Sequence, residues 1–417
     1  MSKAKTLLPK LRFPEFRGAV LRNVQLGEVT AESVSRNGVK HSVASVMGVT
    51  KADGIVPMEA RLIAADIARY KLVQHDWFAY NPMRLNIGSI ARWKGENEIL
   101  VSPDYVVFKC LKENESGINP AYLDHFRQTK AWEEFVTEGG DGSVRVRIYY
   151  KDIARLRLAL PSLPEQKKIA ECLGSVDELM AAQARKVDAL KTHKKGLMQQ
   201  LFPRIGETQP RLRFPEFQNA GKWEVKRVDE QGSVLAGKAL AANALGPQRP
   251  YLRTKNVLDG AIDLSDVLTM PMTDAEFTRF EILDGDVLLN EGQSLELVGR
   301  ASIYRGEFGQ RCAIQNALLR FRAFPSTSAE FAAQYFRQCQ KDGTFANVAT
   351  KTTSVAHLGS SRFSALELAW PSTDEQHRIA TCLSSLDELI TAETQKLEAL
   401  KSHKKGLMQQ LFPSPEE

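Results

Sequence analysis

The sequence lacks the features that are typical of membrane, secreted and zinc-binding chains. No apolar run approaches the ~18–20 residues that a membrane span requires. The opening residues, MSKAKTLLPKLRF, contain no apolar segment of a secretory signal. The five cysteines are scattered and form no CxxC pair, which argues against a zinc site and against a disulfide framework. Free thiols are typical of a reducing compartment, so we expect a cytoplasmic protein.

Motifs for nucleotide binding and catalysis are also missing. The sequence has no GxxxxGKS/T loop and no GxGxxG. The tetrapeptide NPMR at residues 81–84 only superficially resembles the catalytic NPPY of amino-methyltransferases, because it lacks the second proline and the aromatic residue. The seven histidines are dispersed and form no constellation with serine, cysteine or aspartate. We therefore predict a non-catalytic chain with no metal site and no cofactor of its own.

Composition indicates an ordinary globular chain with a mild basic excess. The 417 residues, 43% hydrophobic and 25% charged, are enough for two or three domains with real cores. The net charge of +6 comes from 56 basic and 50 acidic residues. This balance is compatible with a polyanionic partner but does not by itself indicate one.

The most informative feature is an internal repeat. Residues 160–203 return at residues 370–413 with 28 of 44 positions identical, far more than chance allows between helical segments. A shorter repeat precedes each unit, since KLRFPEF at residues 10–16 returns as RLRFPEF at residues 211–217. The order is globule, helix, globule, helix, and the duplication suggests an approximate two-fold axis.

Each repeated segment has the apolar pattern of a coiled-coil helix. Apolar residues fall at alternating four- and three-residue steps over about five heptads, and a Phe-Pro pair ends each segment. The first copy contributes Ile169, Leu173, Val176, Met180, Val187, Leu190, Lys194, Leu197 and Leu201 to this seam, and the second contributes Ile379, Leu383, Leu386, Ile390, Leu397, Leu400, Lys404, Leu407 and Leu411. We predict that these residues form the helix pair or dock a partner.

The lysines in the seam predict how the helices pair. An antiparallel pair brings Lys404 to Asp177 and Glu178, and Lys194 to Asp387 and Glu388. A parallel pair would place Lys194 against Lys404, and these like charges repel. We therefore predict an antiparallel coiled coil.

The two globules, from about residue 17 to 159 and from about 218 to 369, contain short strand-like runs with few long helices. We expect strands at 43–49, 105–110, 155–160, 286–289, 318–321 and 366–370, and helices at 120–135 and 328–340. This pattern predicts an α+β fold with two tandem duplicated domains. The predicted segments are 1–159, the helix 160–203, 204–369 and the helix 370–417.

Polar and glycine-rich loops in both globules are suited to contact base edges and phosphates. An ordinary solvated loop is the competing interpretation for any single residue. In the first globule the candidates are Arg84, Arg92, Lys94, Ser143, Arg145 and Arg147. In the second they are Asn290, Gln293, Ser294, Arg300, Arg305, Lys351, Thr352, Thr353 and Ser354.

These segments resemble the specificity (S) subunit of type I restriction–modification enzymes. The resemblance covers essentially the whole chain and is carried by the doubled helix, by YNPMRLNIGSIA at 80–91, GDVLLNEGQSLELVGRASIY at 285–304, QNALLRFR at 315–322 and TTSVAHLG at 352–359. It implies two target recognition domains, each for one half of a split double-stranded DNA sequence, joined by an antiparallel helix pair that fixes their spacing. It also implies docking of two methyltransferase (M) and two restriction (R) subunits, which carry S-adenosylmethionine, ATP and Mg²⁺.

The first unit departs from the family pattern at one point. The second unit has Trp223 in GKWEV before its globule, whereas residues 17–22 of the first unit contain no tryptophan. We expect either a different anchor for the first globule or an edge rebuilt by the C-terminal segment.

Three alternatives remain open. A coiled-coil assembly protein would need no affinity for a defined DNA sequence, so exchange of one globule would change nothing. A stand-alone nuclease or methyltransferase is disfavoured by the missing motifs. The same fold in another methylation-based phage-defence system would give the same sequence pattern.

Overall fold

A computed structural model describes residues 8–111, 117–138, 147–241, 244–352 and 355–413. The chain forms two compact units, Met1–Ala184 with Gln395–Glu417, and Arg185–Thr394. Both boundaries between the units fall inside a long helix, so each long helix contributes one half to each unit. No helix in the described part of the chain is both long and apolar enough to cross a membrane.

The first unit contains a small α+β globule, the first head, at residues 22–160. Its elements are β1 Arg22–Gln25, α1 Leu26–Val29, β2 Thr30–Glu32, β3 Met47–Thr50, β4 Gly54–Pro57, β5 Lys71–Val73, β6 Phe78–Tyr80, β7 Ile90–Arg92, β8 Ile99–Val101, β9 Val106–Cys110, α2 Pro120–Phe126, α3 Lys130–Glu138, α4 Tyr150–Ile153 and β10 Arg157–Leu160. The long helix α5 follows at Leu163–Leu201. The central sheet has the strand order β2-β9-β6-β7, and β1 pairs antiparallel with β10 at the head's base.

The second unit repeats this plan in the second head, residues 224–370. Its elements are β11 Glu224–Arg227, β12 Gly232–Ala236, β13 Gln248–Leu252, β14 Leu268–Pro271, α6 Asp274–Phe280, β15 Val287–Asn290, β16 Gly292–Gln293, β17 Ala301–Ile303, β18 Ala313–Ile314, β19 Leu318–Ala323, α7 Ala329–Lys341, α8 Thr344–Val348, β20 Thr350–Lys351, β21 Ala356–His357, α9 Ser360–Ser364 and β22 Glu367–Trp370. The second long helix, α10, spans Thr373–Leu411. The sheet order β12-β19-β15-β17 matches that of the first head.

The helices run antiparallel inside each unit, as predicted. In the first unit, Lys404 Nζ near the end of α10 lies 2.7 Å from Asp177 Oδ1 near the start of α5. In the second unit, Lys194 Nζ lies 2.5 Å from Asp387 Oδ2. All eighteen predicted seam residues are buried or half-buried. Buried apolar side chains at this spacing are what an antiparallel pair packed against a head requires.

Each head is fastened to the helices by the same set of contacts. Gln166 at the start of α5 accepts a hydrogen bond from the Asn119 amide (2.7 Å), and Gln376 accepts one from the Ser328 amide (2.9 Å). Asn119 and Ser328 are the N-caps of α2 and α7. Both glutamines are buried, so these bonds satisfy polar groups that water cannot reach.

Two expectations about local structure are corrected, and the structure shows which residue of the first unit stands at the position of Trp223. The helix predicted at 120–135 is interrupted, because α2 ends at Phe126 and Thr129 Oγ1 accepts the Trp132 amide at the start of α3. The run 43–49 begins with a 3₁₀ turn, and its strand starts only at Met47. The position of Trp223 is taken in the first unit by Leu21, which is also buried and precedes the equivalent strand, β1.

Candidate nucleic-acid interface

Equivalent backbone bonds show which loops correspond in the two heads. The Ile148 amide donates to the Pro82 carbonyl (3.0 Å), and the Leu358 amide donates to the Glu291 carbonyl (2.8 Å). These bonds align residues 82 and 148 with residues 291 and 358, so Arg147 and His357 occupy corresponding positions. In both heads, the segment before the fourth helix (α4 or α9) therefore lies against the loop that follows strand β6 or β15.

In the second head this contact is a small three-stranded sheet, β16-β21-β20. Gln293 on β16 and Lys351 on β20 both pair with Ala356 on the middle strand. Opposed residues in antiparallel strands share a face. The sheet therefore places the Gln293 amide and the Lys351 ammonium group on either side of buried Ala356, although the two residues are 58 positions apart in the sequence. Thr352 follows directly, and its hydroxyl donates to the Val355 carbonyl (2.9 Å).

The loop after β16 is a compact turn. The Leu297 and Val298 amides both donate to the Ser294 carbonyl, at 3.0 and 2.9 Å. Gly299, with φ +76°, closes the turn against Phe345, whose Cδ2 would lie 2.2 Å from an added Cβ. Ser294 is half-buried, and Arg300 directs its Nε to the Val257 carbonyl at 3.0 Å. Arg300 therefore braces this loop.

Asn290 does not suit the role predicted for it. Its side chain is completely buried and donates to the Val257 carbonyl, so it holds the loop from inside the head. Contact with DNA is incompatible with this placement, and we remove Asn290 from the candidate residues. Its sequence neighbours gave no sign of this burial, because the Val257 segment is distant along the chain.

Lys94 and Arg305, chosen separately from the sequence, are structural equivalents. The Asp76 amide donates to the Trp93 carbonyl and the Gly285 amide to the Tyr304 carbonyl, both at 2.9 Å. Lys94 and Arg305 are the next residues along the chain. Both are exposed, at 69% and 46% of the side chain, and each lies near one carboxylate, Lys94 at 3.7 Å from Asp124 and Arg305 at 2.9 Å from Glu330.

Arg92 is held more firmly than its neighbour Lys94. Its side chain is only 15% exposed and lies between two carboxylates, with Nη1 3.0 Å from Asp76 and Nε 3.5 Å from Asp124. Asp76 adopts φ +66°, a backbone conformation that is uncommon outside glycine, where the second head has Gly285. The arrangement favours a structural role for Arg92, which links strand β7 and the turn at Asp76 to Asp124 on α2.

The remaining candidates divide into exposed residues and residues that are not described. Arg84 and Arg147 are exposed in the first head. Ser143, Arg145, Thr353 and Ser354 lie outside the described residues.

Two residues that the sequence did not single out lie near the candidates: His357 on β21, and Trp77, whose ring lies 5.5 Å beneath Lys109 Nζ. Among the described residues, no group of three or more His, Cys, Asp or Glu side chains is arranged to hold a metal ion.

A buried charge cluster joins the second head to its helix pair. Arg337 on α7 lies 2.6 Å from Asp259 and 3.1 Å from Asp387, and Gln334 donates to Asp387 at 2.8 Å. The pKa of Lys194 is lowered to about 8, chiefly by burial and also by the nearby Arg337 guanidinium, and Asp387 opposes both effects. Gly260 allows this packing, because an added Cβ would lie 2.6 Å from the Arg337 guanidinium.

The first head has a histidine at the corresponding place. His125 occupies the position of Gln334, and Gln128, which accepts from Lys404 at 3.2 Å, occupies that of Arg337. Burial lowers the pKa of His125 to about 4, and Lys404 acts in the same direction, against the carboxylates of Asp177 and Asp124. Its Nδ1 is buried and has no hydrogen-bond partner among the residues that the structure describes.

This histidine predicts an acid sensitivity of the first unit that begins near pH 6.5. A folded-state pKa below the ordinary 6.5 means that the unfolded chain binds more protons, so stability present above pH 6.5 is lost as the pH falls toward 4. We expect a loss of about 2–3 kcal/mol over this window. His125→Gln, which copies Gln334, should abolish the loss. The measurement is hydrogen exchange of first-unit peptides between pH 7 and 4, with exposed His193→Gln as the control; equal acid sensitivity in both variants contradicts the prediction.

The long helices also present a repeated exposed surface. Leu179 and Leu389 are repeat equivalents that remain 57% and 40% exposed. An added Cβ at Gly196 or Gly406 would meet nothing within 4 Å among the described residues, so no close contact in that part of the chain explains these helical glycines. The buried seam residues, by contrast, face the partner helix or the head. The exposed residues of the repeat are therefore better candidates for docking than the seam.

Comparison with known proteins places this duplicated, two-headed fold in one class. Residues 220–402 match the family described as type I restriction modification DNA specificity domain. A candidate MjaX type I restriction enzyme specificity subunit of Methanocaldococcus jannaschii is 22% identical over 361 residues, which cover 83% of this chain and 80% of that protein. The EcoKI specificity subunit of Escherichia coli is 24% identical over 260 residues, 58% of this chain and 52% of that protein.

Solved structures show the same fold. The type I restriction–modification S subunit of M. genitalium aligns with a TM-score of 0.59 at 12% identity, covering 98% of this chain and all of that one. A chain from a structure of complex assembly and conformational transition in the type I R-M system gives 0.55 at 16% identity, with 95% and 98% covered. The resemblance drawn from the sequence is confirmed: the chain is similar over most of its length to specificity subunits of type I restriction–modification systems, and it shares their fold.

Proposed function

We propose that each head binds one half of a two-part double-stranded DNA site, and that the helix pair fixes the spacing between the halves. The main observation in support is that the two heads share one fold but have different polar residues at equivalent positions. The first head presents Arg84 and Arg147 where the second presents Gln293, Lys351 and His357. Common scaffolds with different loop chemistry are expected when two domains bind different targets.

The helix α5 suits a spacer between the two heads. It is a single helix of 39 residues that begins in the first unit and ends in the second. At a rise of 1.5 Å per residue its length is about 58 Å. The rise per residue of a helix is fixed, whereas a loop of the same number of residues has no fixed length.

We further propose that the exposed repeat surface docks two methyltransferase subunits, with two restriction subunits completing the complex. Leu179 and Leu389, with the open helix surface at Gly196 and Gly406, supply two copies of one surface. Two copies of one surface suit two copies of one partner. S-adenosylmethionine, ATP and Mg²⁺ then bind to those partners, and this chain contributes recognition without catalysis.

The test is genome-wide mapping of N6-methyladenine in cells with and without this protein and its cognate M subunit. We expect a split motif only when both are present. Replacing residues 20–155 with the equivalent head of another specificity subunit should change one half of the motif and leave the other half and the gap unchanged. The M subunit alone is the first control, and the same M subunit beside a different specificity subunit is the second. A methylation pattern that ignores the head exchange would favour an assembly-only role.

A further inference from the structure

A carboxylate holds His357 in place on the small sheet of the second head. His357 Nδ1 lies 3.1 Å from Glu291 Oε2, and the Gly359 amide donates to the other oxygen of the same carboxylate at 3.2 Å. The His357 carbonyl accepts from Arg362 Nη2 at 2.8 Å, which fixes the backbone as well. Glycine at position 292 makes room, since an added Cβ would lie 3.2 Å from the imidazole ring.

This support leaves the outer part of the ring accessible. The His357 side chain is 44% exposed, whereas that of Glu291 is only 18% exposed. With Nδ1 bonded to the carboxylate, Nε2 is the ring nitrogen left for a ligand. A second group that fixes the orientation of a histidine is the usual arrangement where the ring must meet a ligand in one pose.

The corresponding residue of the first head is Arg147, because Ile148 and Leu358 make the same backbone bond next to it. Arginine and protonated histidine both donate hydrogen bonds to acceptors on guanine edges and phosphates. The imidazolium form of His357, with Nδ1–H donated to Glu291, thus presents a nitrogen donor where the first head presents Arg147. Glu291 has no counterpart in the first head, where residue 82 is proline.

We propose that His357 contacts the second DNA half-site through Nε2, and that Glu291 acts as its positioning residue. This inference rests on the proposed function. The ligand is an acceptor atom of duplex DNA, which is either a base edge in the major groove or a phosphate oxygen. A base contact gives the second head part of its sequence preference, whereas a phosphate contact gives affinity alone.

The experiment uses the assembled S–M methyltransferase and compares complexes that carry the wild-type chain, His357→Ala or His357→Arg. Methylation rates are measured on duplex oligonucleotides with every single substitution in each half-site. With a base contact, His357→Ala should reduce discrimination at one position of the second half-site by roughly 5- to 150-fold. With a phosphate contact, the motif should stay unchanged while binding weakens uniformly and the slope of log affinity against log salt falls by about one. His357→Arg should retain binding in the second case.

Glu291→Gln tests the positioning role separately. It should reduce the same quantity as His357→Ala, which is discrimination at one base position or binding affinity. The double variant should lose nothing further, because both changes remove the same interaction. Arg147→Ala is the matched control and should affect only the first half-site. Unchanged motif, rate and salt slope in His357→Ala would overturn the inference. A wild-type complex that methylates without any split motif would instead contradict the proposed function before any variant is examined.

Discussion

Arg213→Ala should destabilise the second unit by about 3–5 kcal/mol, because it leaves an unpaired carboxylate in the interior. Arg213 binds Glu375 through two parallel bonds, Nε to Oε1 at 2.8 Å and Nη2 to Oε2 at 2.5 Å. The Glu375 side chain is 1% exposed and that of Arg213 is 14% exposed. The strong hydrogen bond to Glu375 raises the pKa of the Arg213 guanidinium, as expected for a cation stabilised by its partner.

The measurement is hydrogen exchange of the intact chain, read separately in peptides of the two units. Two units with their own cores need not unfold together, so one melting temperature would not describe them. Protection should fall in the second unit and stay unchanged in the first. The repeat offers the mirror experiment, since Arg12 binds Glu165 with the same two distances. Arg12→Ala should therefore reverse the pattern.

A nearby surface pair provides the matched control. Arg378 and Glu216 lie 2.8 Å apart, but both side chains are nearly half exposed, so Arg378→Ala should cost less than about 1 kcal/mol. Equal effects of Arg213→Ala and Arg378→Ala would mean that burial does not decide the energy of these pairs. The segments KLRFPEF and RLRFPEF would then not stabilise their units through buried arginine–glutamate pairs.

The same pairs show how far the sequence alone can go. Helix periodicity is a local property, so the seam, the two Phe-Pro ends and the antiparallel pairing of Lys404 with Asp177 could all be predicted. The fold class followed from the repeat together with the resemblance. Arg12 and Arg213 stood in a recognised repeat, yet their partners lie 153 and 162 residues away, and no local pattern indicates such a contact.

The candidate interface was harder to predict for the same reason. Lys94 and Arg305 could be chosen as exposed cations next to a strand. Asn290 has an equally suitable side chain, but the distant Val257 segment covers it. His357 was missed because its supporting carboxylate is 66 residues away. Burial and support are long-range properties, and they decide which polar loop residue is available to a ligand.

Phe202→Ala and Phe412→Ala should each destabilise their own unit by about 3–5 kcal/mol, the range for deleting a fully buried aromatic side chain. Phe202 directly follows α5 and stacks on Tyr335, with ring centroids 4.8 Å apart. Phe412 directly follows α10 and packs on Tyr122 at 5.1 Å. Both phenylalanines are at most 2% exposed. Exposed Leu179→Ala is the control, with an expected change within about 0.5 kcal/mol.

The two variants should differ in effect, because only the second unit has a tryptophan, Trp223, before its head. In the second unit Trp223 packs on the same rings as Phe202, at 6.0 Å from Phe331 and 6.4 Å from Tyr335. In the first unit the smaller Leu21 stands in its place, so Phe412 supplies more of the aromatic contact there. We therefore expect Phe412→Ala to lie at the upper end of the range. Hydrogen exchange of each unit measures both losses in one experiment, and a larger loss for Phe202→Ala would contradict this account of how the first head is anchored.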